Sequence, residues 1–119
     1  MGDEMPDRVA YKVLLPDELA IFERDGFFAG ARVDLADGYI HLSTATQLRE
    51  TIARHFAGLD DLQIVAVDLE ALGGAVKWEP SRGGDLFPHL YAPLSLNAVV
   101  AYGPLEYDGG GAIRYPVAG

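Results

Sequence analysis

The alternation of apolar and polar segments along the chain predicts a mixed α+β fold. Short apolar runs bounded by turn residues are typical of buried strands, and such runs occupy Val9–Leu15, Leu62–Leu69, Ala75–Glu79 and Leu96–Tyr102. A shorter strand is predicted at Tyr39–Leu42, directly after an Asp-Gly turn signal. Leu62–Leu69 has the strongest strand pattern, so we expect it to lie at the centre of a sheet.

The first predicted helix follows the first strand. Pro16 and the two acidic residues after it favour a helix start, because proline fits the first turn and carboxylates interact with the positive end of the helix dipole. Gly26 is a natural stop for this helix. Between Phe27 and Asp37, alanines, Gly30 and isolated charges show no helix or strand period, so we predict irregular structure there.

A second helix is predicted after the Tyr39–Leu42 strand. Thr44 and Gln47, three residues apart, form a capping box. Apolar residues then repeat every four positions, and Gly58 closes the helix. With two helices early in the chain and about five or six strands, the expected fold class is α+β rather than an alternating parallel sheet.

Length and composition are those of one globular domain. At 119 residues the chain is long enough for one domain and too short for two, and a chain of this size buries about two-thirds of its unfolded surface. Of the residues, 50% are hydrophobic and 23% are charged, which argues against disorder. We assign residues 1–8 to a flexible N-terminal leader and residues 9–119 to a single domain.

The charge balance excludes several classes of partner. Eighteen acidic and nine basic residues give a net charge of -9, which disfavours binding along a nucleic-acid backbone because that binding depends on Lys and Arg. No apolar run reaches the ~20 residues that cross a bilayer, and the polar, acidic start does not resemble an export signal. We therefore expect a soluble cytoplasmic protein with a small-molecule ligand, and the oligomeric state stays open.

Motifs for several common chemistries are absent. The chain has no cysteine, which excludes disulfides, thiolate nucleophiles and cysteine-based zinc sites. His55 has no ligand partner nearby in the sequence, so we expect no metal site. There is no G-x-G-x-x-G, P-loop or G-x-S-x-G motif, and neither Ser43 nor Ser81 has an obvious base. Dinucleotide-binding Rossmann, NTPase and serine-hydrolase functions are therefore not supported.

Two segments carry side chains suited to chemistry, and the first is Asp37–Thr44. His41 lies in the predicted strand, with the hydroxyls of Ser43 and Thr44 where that strand meets the capped helix. Amides at a helix start can hold an anionic ligand, and His41 could donate a hydrogen bond or move a proton. In the alternative interpretation, Thr44 is only a cap and His41 is an interior residue.

The second segment is Lys77–Tyr91, which has no helix or strand period after Glu79 and is predicted to be a loop. Its candidate ligand-binding side chains are Trp78, Glu79, Arg82, His89 and Tyr91. Loops that gather aromatic and ionisable side chains on a rigid scaffold often form binding sites. In the alternative interpretation, the aromatic side chains Trp78 and Phe87 fill the core while the charges stay solvated.

Lys12 interrupts the apolar pattern of the first strand. In one interpretation the strand lies at a sheet edge, where the lysine discourages aggregation. In the other, the lysine faces a cavity that requires a positive charge. The sequence pattern alone leaves both interpretations open.

Several of these stretches together resemble the DUF952 family of small bacterial proteins, which has no established activity. They are Tyr11–Leu14, Asp34–Thr44, Lys77–Pro80 and Phe87–Tyr91, and the resemblance runs from about Val9 to about Leu105. The family is similar in fold to the ADP-ribosyltransferases, which implies a split, mostly antiparallel sheet around a cleft for a nicotinamide dinucleotide. His41-Leu42-Ser43 also matches a strand of the related RNA 2'-phosphotransferases, which implies that His41 and Ser43 line the cleft.

The resemblance implies an enzyme of ADP-ribosyl-transfer type, or one that cleaves a related small nucleotide, with NAD as the candidate substrate and no metal. Glu79 is the best match to the late glutamate of that superfamily, and it would stabilise the ribosyl cation or hold a ribose hydroxyl. His41 would orient the ribose or the acceptor. His89 would be a spare acid or base.

Other residues would hold the rest of such a ligand. Lys12, which stands where many superfamily members have histidine or arginine, and Arg82 would neutralise the pyrophosphate, and Trp78 or Tyr91 would stack on the nicotinamide or adenine ring. With Arg82 as the single arginine near the cleft, RNA is not expected as a substrate. The alternative function is a non-catalytic module of the same fold that binds a nucleotide or phosphometabolite. In a third interpretation, the cleft residues have a purely structural role.

Overall fold

The computed structural model describes residues 8–116, apart from the side chain of Arg82. The described strands are β1 (Val9–Leu14), β2 (Phe27–Phe28), β3 (Ile40–His41), β4 (Gln63–Asp68), β5 (Val76–Ser81), β6 (Asp85–Leu90), β7 (Leu94–Ser95), β8 (Val99–Pro104), β9 (Glu106–Tyr107) and β10 (Ile113–Arg114). The described α-helices are α1 (Pro16–Asp25), α2 (Arg32–Asp37), α3 (Ala45–His55) and α4 (Leu69–Leu72). Short 3-10 turns cover Gly73–Ala75, Arg82–Gly84 and Leu96–Ala98. Residues 1–7 of the predicted leader lie outside the described range.

The first sheet has the strand order β1-β4-β8 and is antiparallel throughout. β4 pairs on both of its edges, and Ile64, Val65, Ala66 and Val67 are at most 1% exposed. The central position predicted from the apolar run Leu62–Leu69 is therefore confirmed.

The second sheet has the order β3-β6-β5 and is also antiparallel. On its central strand, His89 lies opposite His41 on one side and opposite Lys77 on the other. Within residues 8–116, an isolated bridge links β1 to the segment just after β3, where the backbones of Tyr11 and Ser43 exchange hydrogen bonds of 2.7 and 2.9 Å. Two further pairs, β2-β7 and β9-β10, complete the described strands.

Two hydrophobic clusters cover opposite faces of the first sheet. Alternate residues of a strand project to opposite faces: Leu14 belongs to the larger cluster, with Phe22 and Leu90, while Val13 belongs to the smaller cluster, with Leu48 of α3. Lys12 is two residues from Leu14 and so projects toward the larger cluster, where it is 6% exposed. β1 does lie at the edge of its sheet, but Lys12 is buried there, so the interpretation that this lysine discourages aggregation is wrong.

The prediction of irregular structure between Phe27 and Asp37 is wrong. β2 forms because residues far along the chain, in β7, pair with it. α2 begins where the Asp34 carboxylate accepts a hydrogen bond of 2.7 Å from the backbone N–H of Ala31. Elements this short have no readable period, so their stability depends on tertiary contacts and on the cap.

The prediction of a loop after Glu79 is also wrong. β5 and β6 form a hairpin around the 3-10 turn Arg82–Gly84, in which Gly83 adopts a left-handed conformation with φ of 81°. Pro80 and Pro88 lie within these strands. Proline lacks the N–H that a strand ladder uses, so these two residues make the sequence pattern unlike that of a strand. The predicted strand at Leu96–Tyr102 also begins later than expected, since residues 96–98 form a 3-10 turn.

Together these elements form a compact α+β domain with antiparallel sheets and few helices. The helices α1 and α3 and the strands β1, β4 and β5 match their predicted positions, and α2 and α4 are additional. Across residues 8–116 no helix has both the length and the apolar composition needed to cross a membrane.

Gly30 should not tolerate a side chain. Its φ is +128°, and a Cβ at this position would lie 2.9 Å from the Cβ of Asp34. We expect Gly30→Ala to lower the free energy of unfolding by about 1–3 kcal/mol, measured by urea denaturation. Gly74→Ala is the matched control, because a Cβ at Gly74 meets nothing within 4 Å. Equal losses in both variants would contradict this account of Gly30.

Candidate functional site

One face of the second sheet collects both predicted histidines and the predicted acid. Residues opposite one another on neighbouring strands share a face, as do residues two apart on one strand. His89 lies opposite both His41 and Lys77, so these three side chains share a face. Tyr39, Glu79 and Tyr91 are each two residues from one of them and lie on the same face. We call Tyr39, His41, Lys77, Glu79, His89 and Tyr91 the histidine–tyrosine face.

Aromatic contacts hold the histidine–tyrosine face together. The Tyr39 ring stacks on the imidazole of His89, with the ring centroids 4.1 Å and the planes 22° apart. Tyr39 also contacts His41 at 4.7 Å and Tyr91 at 5.2 Å between ring centroids. His89 is only 3% exposed, whereas Tyr39 and His41 are half-buried and Tyr91 is exposed. The tyrosine rings thus lie between the buried imidazole and the solvent.

Glu79 is held by two donors from β6 and the residue that follows it. Its Oε1 atom accepts a hydrogen bond of 2.8 Å from the Tyr91 hydroxyl and lies 2.7 Å from Nδ1 of His89. The hydrogen bonds from His89 and then Tyr91 lower the pKa of Glu79, and the bond to Glu79 raises the pKa of Tyr91 to about 12. Glu79 is therefore an ionised carboxylate with a fixed orientation, and its side chain is 36% exposed.

His41 lies between two carboxylates. Its Nδ1 atom is 2.6 Å from Oδ1 of Asp34, and its Nε2 atom is 2.9 Å from Oδ2 of Asp37. Acidic side chains therefore engage both ring nitrogens of His41. The side chain of His41 is 33% exposed, which leaves it accessible to a ligand.

Asp34 is the acceptor on which this part of the site converges. Besides the His41 ring, it accepts hydrogen bonds from the backbone N–H groups of Ala31 and His41, at 2.7 and 3.0 Å, and from Nζ of Lys12 at 3.1 Å. Burial alone raises the pKa of Asp34, but the His41 hydrogen bond, the Lys12 charge and the two backbone bonds outweigh it. They hold the pKa at about 2.

Lys12 uses its charge inside the protein. Its Nζ atom lies 2.9 and 3.1 Å from the two carboxylate oxygens of Asp34 and donates to the backbone carbonyl of His41 at 3.1 Å. Burial lowers the pKa of Lys12, and the Asp34 charge opposes that effect. An ammonium group has three hydrogens, and these acceptors account for them. The pyrophosphate-binding role predicted for Lys12 does not fit this geometry.

Ser43 and Thr44 lie at the start of α3 and are buried there. The Ser43 hydroxyl forms a hydrogen bond of 2.7 Å with the hydroxyl of Thr51. Thr44 is the N-cap, and its backbone N–H donates to the Gln47 side chain at 3.0 Å. These contacts anchor the start of α3, which agrees with the alternative interpretation that Thr44 is only a helix cap. The structure brings neither the Ser43 nor the Thr44 hydroxyl onto the histidine–tyrosine face.

The remaining predicted ligand-binding residues lie elsewhere. Trp78 is next to Glu79 on β5, so strand alternation directs it to the opposite face, where it is 36% exposed. The side chain of Arg82 lies outside the described part of the chain, and its backbone is in the hairpin turn. No three histidine or acidic side chains within residues 8–116 form a group that could hold a metal ion.

Sequence reasoning missed two residues of the site. Asp34 lies in the segment predicted to be irregular, although an acid three residues after a helix start is a capping signal that could have indicated it. Tyr39 lies in the predicted strand Tyr39–Leu42, and its residue type alone does not indicate a role in the site. Its position two residues before His41, on the same strand face, was the available signal.

Comparisons with known proteins identify relatives of this chain. A family model described as "Protein of unknown function (DUF952)" matches residues 14–102. The crystal structure of protein CC0527 from Caulobacter crescentus is 44% identical with a TM-score of 0.80, covering 89% of this chain and 93% of that chain. The solution NMR structure of CC0527 is 45% identical with a TM-score of 0.74, covering 88% of this chain and 90% of that chain. A search of curated proteins finds no significant match.

The buried ion pair should dominate the response to mutation. We expect Asp34→Asn to cost about 3–5 kcal/mol of unfolding free energy, because Lys12 would remain buried without a countercharge. Lys12→Met should cost less, since Asp34 keeps its bonds to Ala31 and His41. The double variant should lose less than the sum of the single variants in urea denaturation. Strictly additive losses would show that the two groups are not coupled.

The stability should fall in acid through Asp34. Its pKa is about 2 in the folded protein against an ordinary value of 3.8, so the ionised form stabilises the fold above pH 3.8. About 2 kcal/mol should be lost as the pH falls from about 4 to about 2. Comparing unfolding free energies of the wild type and the Lys12→Met, Asp34→Asn double variant across this range tests the effect. Identical pH dependence in both proteins would contradict it.

Proposed function

The chain belongs to the DUF952 family, and we propose that it is an enzyme that breaks the glycosidic bond of NAD or a related small nucleotide. The reaction would be of ADP-ribosyl-transfer type, with water or another nucleophile as the acceptor. The ionised, oriented and partly exposed carboxylate of Glu79 is the observation that supports this proposal. The ADP-ribosyltransferase resemblance of the sequence motifs supports the same reaction class.

The chemistry assigns Glu79 an electrostatic role. As the bond between ribose C1' and the nicotinamide nitrogen breaks, its electron pair leaves with nicotinamide, and positive charge develops on the ribose. A carboxylate that is already ionised and held by His89 and Tyr91 stabilises that charge without reorganising. The acceptor then bonds to C1' and releases a proton. When the acceptor is water, the products from NAD are nicotinamide and ADP-ribose.

The neighbouring residues would position the substrate. The half-exposed imidazole of His41 is held by Asp34 and Asp37, so it would orient the ribose or the acceptor through the partly exposed carboxylate of Asp37. The exposed ring of Tyr91 provides a stacking surface for the base beside Glu79. Trp78 lies on the other face of the sheet and has no stacking role in this proposal. His89 has its Nδ1 atom directed at Glu79, so it orients the carboxylate instead of serving as a separate acid or base.

A non-catalytic binding module is the second candidate function. The observation that favours it is the enclosure of Lys12, which binds Asp34 and the His41 carbonyl instead of facing a ligand. A protein that retained the aromatic and carboxylate groups without a cation for the pyrophosphate would bind part of a nucleotide. It would release no nicotinamide.

Glu79→Gln tests the catalytic proposal. We expect this variant to release nicotinamide from NAD or from nicotinamide riboside at least ~100-fold more slowly than the wild type, the scale of one lost transition-state contact. Nicotinamide is quantified by chromatography. Glu106→Gln is the matched control, because Glu106 is also an exposed strand glutamate and lies outside the histidine–tyrosine face.

The outcomes separate the two candidate functions. An unchanged rate in Glu79→Gln would remove Glu79 from the mechanism. Saturable binding of either compound without nicotinamide release would favour the binding module. Absence of both binding and release would contradict both functions.

A further inference from the structure

We infer that the histidine–tyrosine face takes a nucleoside, a ribosylated base without phosphate groups, in preference to a nucleotide. The inference rests on the proposed function, because it takes from it the placement of a ribose beside Glu79. It keeps the reaction class and changes the preferred substrate from a nucleotide to a nucleoside, on the basis of the charges that surround this carboxylate.

The buried cation of the site is not available to a phosphate. The Lys12 ammonium lies against both oxygens of Asp34 and the carbonyl oxygen of His41, at 2.9 to 3.1 Å. Its side chain is 7% exposed. A phosphate would have to displace a buried carboxylate to reach it, and that exchange would leave Asp34 without its countercharge.

The imidazole of His41 is similarly occupied. Both of its nitrogens lie within hydrogen-bonding distance of a carboxylate, Asp34 on one side and Asp37 on the other. Any phosphate near the exposed edge of His41 would also approach Asp37, whose side chain is 46% exposed. Repulsion between these two anions opposes binding, whereas an uncharged ribose hydroxyl would form hydrogen bonds with the same carboxylate.

Two partly exposed carboxylates, Asp37 at 46% and Glu79 at 36%, border the accessible surface of the face. Burial raises the pKa of the Tyr39 hydroxyl, and the charges of these two carboxylates raise it further. The whole chain has a net charge of -9, so its long-range field also repels anions. Local and global charge therefore act in the same direction.

Lys77 is the remaining described cation of the face. Its Nζ atom lies 5.2 Å from the centroid of the Tyr91 ring, and its charge helps to lower the pKa of neighbouring Glu79. Its charge is thus offset locally by Glu79. A phosphate monoester carries about two negative charges near neutral pH, which one offset lysine does not balance.

A substrate series tests the inference directly. Nicotinamide riboside, nicotinamide mononucleotide and NAD share the ribose and the leaving group but differ in phosphate content. We expect kcat/KM for nicotinamide release to be at least about tenfold higher for the riboside than for NAD, with the mononucleotide lower than the riboside, as one unfavourable charge contact would produce. Dissociation constants from calorimetry should follow the same order.

The sign of the salt dependence gives an independent readout. Added salt screens repulsion as well as attraction. The nicotinamide ring of the riboside carries a positive charge, whereas the phosphate gives the mononucleotide a net negative charge. Raising the NaCl concentration from about 20 to about 200 mM should therefore lower KM for the mononucleotide and raise KM for the riboside. A phosphate held by cations would give the opposite sign, with KM for the mononucleotide rising.

Three substitutions and one control locate the effect. Asp37→Asn should narrow the preference for the riboside over the mononucleotide by at least about threefold, since it removes one repelling charge. Asp61→Asn is the control, because Asp61 is an exposed aspartate in the turn before β4. Lys77→Gln and Arg82→Gln should each change kcat/KM for the riboside and kcat/KM for the mononucleotide by similar factors. A loss confined to the mononucleotide in either variant would identify a phosphate site and overturn the inference.

Failure of this inference can be told from failure of the proposed function. If NAD is cleaved at least as efficiently as the riboside, and Glu79→Gln abolishes that cleavage, the inference is wrong and the proposed enzyme stands. If the riboside binds best but is not cleaved, the inference holds for the binding module. If none of the three compounds binds, both the inference and the proposed function are wrong.

Discussion

Burying an ammonium group requires a countercharge and acceptors for its hydrogens, and Lys12 on β1 obtains these from Asp34 on α2 and from the carbonyl of His41 on β3. The same carboxylate binds the backbone and the ring of His41. One ion pair therefore connects three elements that are distant in the sequence. It also sets the orientation of an imidazole at the surface, so the stability of the core and the geometry of the site depend on the same contact.

One face of the second sheet packs against the hydrophobic core, and the other face carries the side chains of the candidate site. Ile40 and Leu90 point toward the larger hydrophobic cluster, while the alternate positions His41 and His89 point to the histidine–tyrosine face. Each imidazole is paired with a carboxylate, and the Tyr39 ring contacts both imidazoles. Charges are therefore present throughout the site but are largely matched within the protein, and this matching is what argues against an anionic ligand.

Part of the candidate site could be predicted from residue types alone. His41, Glu79, His89 and Tyr91 are uncommon in buried strands unless they are paired, and the structure brings all of them to one face. The contribution of Asp34 could not be predicted in the same way, because its partner Lys12 lies 22 residues away. The sequence predicts that Trp78 and Glu79 share a site because it predicts a loop, where neighbouring side chains can converge. In a strand they diverge.

Strong local signals determined the helices α1 and α3, the central position of β4 and the residue types available for chemistry. Proline near a helix start, a capping box and a continuous apolar run act within a few residues, so they can be read without knowing the fold. The tertiary structure decided the β5–β6 hairpin, the existence of β2 and α2, and the partner of Lys12. These depend on contacts between distant segments, and only the register of paired strands determines which side chains share a face.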